Sequence, residues 1–399
     1  VNLSGNATDV SLTKQLLVHL LDNFDFQADK YDSDNNPIQL IDKASGDMIL
    51  FEVSYNTIEF AFAKAERISE VEERLDTYLS IIQPYLQNHN HELQGWGVNP
   101  NWAKNDNRPV KSPRYEMLMD FLEQSKAKND PFFHDYPEYG SFICGSQVQL
   151  DVSKTSYLRV LNAFNQIEGP KAVLLANSDF WGSDWDLALS RDVFWENSMH
   201  GVFEENAGVF PKVFKNEDDY FSYLSETAIF TAKRGDETYY FEPIRAKDYL
   251  STPSIKAHSI RGEVVTIEPS EEDFKTHRSY QFQDLTTRGT IEFRSVCTQP
   301  FSLTFAPAAF HLGLLVNLVN LENILNDSPF FEAFDYDYPR IRRLFSKKDI
   351  SATDLKMILP LTESLLSCAE DGLKSRGFGE EVYLAPLREK LDRLNKSLD

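Results

Sequence analysis

Apolar and charged residues alternate strictly in Gly289-Thr290-Ile291-Glu292-Phe293-Arg294. Period-two geometry sends Ile291 and Phe293 to one face of a strand and Glu292 and Arg294 to the other. Residues 145–152 repeat the pattern, with Val148, Leu150 and Val152 on one side and Gln147, Gln149 and Asp151 on the other. Three shorter strand-like runs, 38–41, 48–53 and 57–62, predict an antiparallel meander whose first turn is Ser45-Gly46-Asp47.

Helical spacing appears over residues 15–26 (Leu16, Leu17, Leu20, Leu21), before polar turn material at 32–36. It returns in the stripe Ile68, Val71, Leu75, Tyr78, Leu79 and Ile82, where Ser69-Glu70-Val71-Glu72 reads as a capping box and Pro84 as an interruption. Further helices are predicted over 157–176, 307–325, 354–373 and 385–398, with Gly372 and Gly377 as stops. The aromatic loop 178–185 follows the first of these. Residues 204–283 have mixed periodicity and do not divide into elements. Strands before and helices after, with no repeat and no linker, predict an α+β body formed as one domain over residues 1–399.

Composition narrows the function classes. The net charge of −22 opposes binding to a polyanion, so nucleic acid is not an expected partner. Three cysteines without C-x-x-C spacing predict neither a zinc site nor a disulfide framework, which fits a reducing, cytoplasmic setting. No apolar run reaches the roughly 18 residues of a membrane span, and neither a membrane partner nor a secretory address is expected.

The chemistry-bearing residues form small groups. If the wall of Glu292 and Arg294 lines a cleft, the carboxylate can hold a hard cation while the guanidinium forks onto phosphate oxygens; the alternative is an edge strand with a local ion pair. If Tyr55-Asn56 makes a two-residue turn, Glu52 and Glu59 face each other across a hairpin. Like charges so placed repel unless a cation lies between them or both point to solvent. Gln147 and Gln149 offer neutral amide oxygens to a cation or ligand, or are exposed sheet glutamines. Trp96 and Trp102, followed by Lys104, Arg108, Lys111, Arg114 and Tyr115, make a basic aromatic block that would steer an anion or remain a solvated face. Arg191 either clamps a substrate carboxylate or pairs with Asp192 or Asp186. Walker, G-x-G-x-x-G and G-x-S-x-G motifs are absent.

In this order the blocks resemble the glutamate-cysteine ligase family, most closely its plant and proteobacterial type. Leu50-Phe51-Glu52 through Ile58-Glu59-Phe60 resembles the family's L-E-P-G-G-Q-F-E-L strand pair, and Gly95 through Trp102 its G-x-G-F-x-P-x-W. Arg114-Tyr115 through Met119 is similar to R-Y-x-x-M, Ser146 through Asp151 to T-x-Q-V-N-x-D, Ser190-Arg191 to the S-R carboxylate clamp, and Ile291 through Arg294 to Y-x-E-x-R. Ala369 through Leu373 and Tyr383 through Leu387 are similar to its closing helices.

The resemblance implies a glutamine-synthetase-like fold, an antiparallel sheet curved into a funnel and packed with helices. It implies an ATP- and Mg²⁺-dependent ligase that activates the γ-carboxylate of glutamate as an acyl phosphate and joins it to the amine of cysteine. Alternatives are another amine acceptor or a non-catalytic binding relative. Carried over, Glu52, Glu59, Gln147 and Glu292 would be metal ligands, Glu292 and Arg294 catalytic, and Arg294 and Arg114 nucleotide contacts. Arg191, Gln149 and Trp102 would contact the amino-acid substrates. Two departures stand out: no G-x-E-x-E strand precedes Val1, so an upstream segment is expected, and Cys297 and Tyr55-Asn56 replace the family's Asp and Gly-Gly.

Overall fold

The computed structural model describes residues 1–275, 277 and 279–398. Asp9 accepts from the N–H groups of Ser11 and Leu12 and so caps helix α1 (Val10–Asn23), which buries Leu12, Leu16, Leu17 and Leu20. Strands β1 (Phe26–Tyr31), β2 (Pro37–Asp42), β3 (Met48–Phe51) and β4 (Ile58–Ala61) pair antiparallel in chain order. The expected meander is present, with β1 as an added strand. Helix α2 (Ile68–Gln87) packs Tyr78, Ile82 and Leu86 into the same core as α1.

The expected capping box does not form. Helix α2 starts at Ile68 after an N-cap, Arg67, that makes no side-chain bond; the Ile68 N–H is taken instead by Glu380 Oε1 at 2.9 Å, from 312 residues away. A tertiary carboxylate thus replaces the local cap. Pro84 lies inside the helix, in its last turn, where one missing N–H costs a single bond near a fraying end.

Helix α3 (Pro113–Lys128) leads to β5 (Val148–Asp151), then α4 (Tyr157–Gln166), α5 (Glu168–Leu175) and α6 (Arg191–Glu196). The single helix expected over 157–176 breaks at Ile167, because Pro170 cannot donate to the Gln166 carbonyl that a continuous helix would offer it. Residues 204–283 contain β6 (Ala207–Gly208), α7 (Glu217–Leu224) and a second antiparallel sheet: β7 (Ala228–Arg234), β8 (Glu237–Arg245), β9 (Ile255–Ser259) and β10 (Val264–Ile267), with α8 (Ala246–Tyr249) beside it. Its first hairpin turns on Gly235-Asp236, and Gly235 takes the left-handed φ of 63° that such a turn requires. Strand β11 (Tyr280–Gln281) pairs parallel with β6, and β12 (Gln283–Leu285) and β13 (Thr290–Phe293) join β5 in the antiparallel order β12-β13-β5.

Helices α9 (Ala306–Val316), α10 (Leu318–Asp327), α11 (Tyr338–Phe345), α12 (Ala352–Arg376) and α13 (Ala385–Lys396) build the largest core, which receives Ile291 and Phe293 from β13. The fold is α+β. The helix expected over 307–325 is two helices bent by 88°, with the Asn317 side chain at the break donating to the Cys368 carbonyl at 3.1 Å. Among the described residues no single helix is long and apolar enough to cross a membrane. All three cysteines are free.

Gly377 ends α12 at φ 74°, as expected, but Gly372 does not. It lies within the helix because α9 and α12 touch there: a Cβ at Gly372 would sit 2.0 Å from the Gly313 carbonyl oxygen, and one at Gly313 would sit 2.2 Å from that of Ala369. Gly372→Ala is therefore expected to push the helices apart and cost about 1–3 kcal/mol, read as a lower midpoint in urea unfolding. An unchanged midpoint would mean that the crossing is looser than described.

Candidate active site

Strand β13 is central in its sheet, so its two faces meet different surroundings. Ile291 and Phe293 enter the main core; on the other face Glu292 lies opposite Gln149 of β5 and Asp284 of β12. Glu292 is 5% exposed, which rules out the edge-strand alternative. Arg294 Nη1 donates to Glu292 Oε2 at 3.0 Å and lies 3.7 Å from Asp284 Oδ2. Its guanidinium sits over the Tyr280 ring at 5.8 Å, and that ring packs on His200 at 4.0 Å. Burial, helped by the Arg294 charge, pushes the His200 imidazole down to about 3, so it is neutral.

The second pair of acids comes from the β3–β4 hairpin, in a register that differs from the expected one. Leu50 faces Glu59, Phe51 faces Ile58, and the Glu52 N–H bonds the Thr57 carbonyl at 3.1 Å. Glu52 and Glu59 are therefore not direct cross-strand partners. The Tyr55-Asn56 turn does form, closed by the Thr57 N–H on the Ser54 carbonyl at 3.4 Å, but the Ser54 N–H folds back onto the Glu52 carbonyl at 2.7 Å, so Val53 and Ser54 drop out of the ladder and the register shifts. Tyr55 is buried, its hydroxyl donating to Asp32 Oδ2 at 2.6 Å. Val53, at the break in the ladder, has a φ of 59°, strained for a β-branched residue. Its carbonyl is held by the Val110 N–H at 2.6 Å.

The side chains nevertheless meet. Burial, then the neighbouring charge and hydrogen bond of Glu52, then the charge of Glu292, push the Glu59 carboxyl up to about 7 against the opposing charge of Arg114. Glu52 Oε2 accepts from the Tyr115 hydroxyl at 2.9 Å. Three strands and the first turn of α3 thus bring Glu52, Glu59, Glu292, Arg114 and Tyr115 to one place.

The other predicted residues are placed unequally. Gln149 Oε1 is occupied by Arg288 Nη2 at 2.7 Å. Gln147 is exposed where the pairing slips: Val148 faces Phe293 but Gly145 faces Cys297, leaving one extra residue on the 294–296 side. Arg114 is exposed and stacks over Tyr115 at 5.5 Å. Arg191 is buried at the start of α6, donates from Nη1 to the Val296 carbonyl at 3.0 Å, and keeps a buried Nε without a partner. Near it, burial pushes the Cys144 thiol up to about 11. Trp102 packs among Tyr136, Phe142, Phe180 and Trp181 rather than on the carboxylates.

Acids outnumber bases in this cluster, the situation a hard cation relieves. Among the described residues no three His, Cys, Asp or Glu side chains form a ready metal cage, but Mg²⁺ typically uses one or two carboxylates and keeps several waters. Glu52 and Glu59 suit that role, since the Glu59 carboxyl holds its proton toward neutral pH beside Glu52 and a cation would displace it. Sequence reasoning missed Asp284, Tyr280 and His200. Asp284 follows Gln283 on a short polar strand, a signal that points to the site only once β12 is known to pair with β13.

Glu59 has a folded-state pKa above its ordinary 4.5, so the native protein holds a proton that the unfolded chain releases between 4.5 and about 7. Without divalent cation, stability should therefore fall as pH rises through that window. Glu59→Gln is expected to flatten this slope and, allowing for solvent screening, to stabilise the cation-free protein at pH 8 by about 1–2 kcal/mol. Urea unfolding in a chelating buffer across pH checks this; parallel curves for the two proteins would contradict it.

Comparison with known proteins gives the family. The sequence profile described as glutamate-cysteine ligase family 2 (GCS2) matches residues 12–393. The chain is 22% identical over 343 residues to "Glutamate--cysteine ligase, chloroplastic" of Medicago truncatula, covering 83% of this chain and 62% of the relative. Against the Arabidopsis thaliana protein of the same name it is 22% identical over 344 residues, covering 82% and 60%. Against "Glutamate--cysteine ligase A, chloroplastic" of Oryza sativa subsp. indica it is 22% identical over 383 residues, covering 93% and 72%. The chain thus spans less than two thirds of the first two relatives' length. With the family profile running through nearly all of it, the chain belongs to glutamate-cysteine ligase family 2.

Proposed function

We propose that this chain carries the catalytic site of an ATP-dependent ligase joining the γ-carboxylate of glutamate to the amine of cysteine. The observation that carries this reading is the gathering of Glu52, Glu59 and Glu292 beside Arg294, in a member of this family. The names of the relatives support cysteine as acceptor. In this reading the β1–β4 meander and the β12-β13-β5 sheet are two walls of a glutamine-synthetase-like funnel within one catalytic domain.

Glu52, Glu59, Glu292 and Gln147 would hold Mg²⁺, which supplies charge neutralisation for the phosphates of ATP. Arg294 forks onto the transferring phosphate and Arg114, at the rim, meets the nucleotide's phosphate tail. Arg191, Gln149 and Trp102 hold and orient the amino-acid substrates. A γ-carboxylate oxygen of glutamate attacks the terminal phosphorus of ATP and ADP leaves. The neutral amine then adds to the acyl carbon, phosphate departs, and the amine's proton passes to solvent. No protein side chain need form a covalent bond, so positioning and charge carry the rate.

A second reading keeps the activation of glutamate but changes the amine. It is favoured by Cys297, fully buried with its thiol on Ser178 Oγ at 3.3 Å, where the family pattern has Asp. Incubation with ATP, Mg²⁺ and glutamate across a panel of amines separates the two: phosphate release with cysteine alone is expected, release with a different amine supports the second, and ATP binding without release would leave a non-catalytic relative. Glu292→Gln is expected to lower turnover by about 10²-fold or more with an unchanged circular dichroism spectrum. Normal turnover in that variant would remove Glu292 from the site.

A further inference from the structure

A cavity of about 330 Å³, within the size range of small-molecule sites, opens between α13, the end of α5 and residues 299–303. None of the candidate catalytic residues lines it. Two cations do: Lys390 and Arg393, three residues apart on α13 and therefore on one helix face. Among the described residues Lys390 Nζ donates only to the Leu174 carbonyl, at 2.9 Å. Among the described residues neither side chain forms an ion pair, although the chain carries 62 acids against 40 bases. The acid at the cavity wall, Glu389, pairs with neither.

The lining also offers acceptors. Asn177 Nδ2 is committed to the carbonyls of Gly95 and Thr298, and Gln299 Nε2 to those of Leu175 and Cys297. Their amide oxygens accept no hydrogen bond among the described residues, and neither is sealed from solvent. The cavity is therefore lined by both positive charge and hydrogen-bond acceptors. Leu174, Leu303 and Pro386 add apolar lining.

We infer that this cavity is a second, non-catalytic binding site for a small hydroxy- or amino-acid anion. Its carboxylate lies between Lys390 and Arg393 and its O–H or N–H group donates to Asn177 and Gln299. Burial pushes the Lys390 ammonium down to about 8, the behaviour of a cation lacking its counter-charge. A bound carboxylate raises it again.

The test uses succinate, malate and aspartate, which share two carboxylates and differ in carrying no donor, a hydroxyl or an amine. Calorimetric titration into the Arg191→Gln protein, where the arginine proposed to hold the substrate carboxylate is gone, is expected to show saturable binding of malate or aspartate about tenfold tighter than succinate. Lys390→Gln and Arg393→Gln should each weaken it at least about tenfold, and Glu389→Gln should tighten it severalfold. In the unsubstituted protein, malate should protect Lys390 from acetylation by acetic anhydride at pH 8, read by peptide mass mapping, which guards against a variant that misfolds. Succinate binding as tightly as malate, binding indifferent to Lys390 and Arg393, or acetylation of Lys390 unchanged by malate would each overturn the assignment.

Discussion

The guanidinium of Arg342 fastens together the segments on which the candidate site is built. It is 1% exposed. Nε donates to Asp192 Oδ2 at 2.7 Å, Nη1 to the Glu168 carbonyl at 2.9 Å and Nη2 to the Ser295 carbonyl at 3.2 Å, while the Phe282 ring lies 5.2 Å away. Asp192 follows Arg191, Ser295 follows Arg294, and the Phe282 carbonyl accepts from the Arg294 N–H at 2.9 Å. Two of the three arginines proposed to touch substrates, Arg191 and Arg294, therefore take their backbone position from this one cation. Lys171 Nζ completes the group at 2.6 Å from Glu168 Oε1, so two acids balance two bases out of water. Such a network adds little net stability over an apolar core but is costly to break, and what it supplies is geometry.

Much of this was legible from the chain. The alternation of Ile291, Glu292, Phe293 and Arg294 determined which residues face the core, and the order of short motifs indicated the family before any coordinates. The meander was readable because its strands are local. Register was not: the turn at Tyr55 and Asn56 forms as its sequence suggests, but Val53 and Ser54 leave the ladder, with Val53 at φ 59° and its carbonyl held by the Val110 N–H, and the pairing of Glu52 with Glu59 is lost. The cap of α2 was also illegible, since Glu380 reaches Ile68 only after the chain has folded. In each case a local rule lost to a tertiary contact, for the cap one with a charged acceptor.

Arg342 left one trace that pattern reading passed over. In Tyr338–Phe345 the residues Tyr338, Ile341 and Phe345 form the buried stripe, and Arg342 falls on the same side. Lys171 likewise interrupts an apolar run in α5 whose residues are all buried. A charge at a core position is either an error of assignment or half of a buried pair, and here two such bases find Glu168 and Asp192. For Lys171 the partner was readable, since Glu168 lies three residues earlier on the same helix; for Arg342 the partners lie on other helices, and a single sequence carries no measure of that proximity.

The extra residue after Phe293 explains why the polar wall ends at Arg294. Up to Phe293 the ladder with β5 alternates; beyond it Ser295, Val296 and Cys297 are all buried, so the two-residue period is lost. A strand that kept its register would commit its carbonyls to β5 and send every second side chain outward. With one residue inserted, the Ser295 carbonyl turns to Arg342 and the Val296 carbonyl accepts from both Arg191 and the Ser146 N–H. The slip thus converts the end of a ladder into an acceptor for two arginines. It sets Arg191 behind the acidic wall and leaves Arg294 as the last side chain able to reach a ligand in front of it.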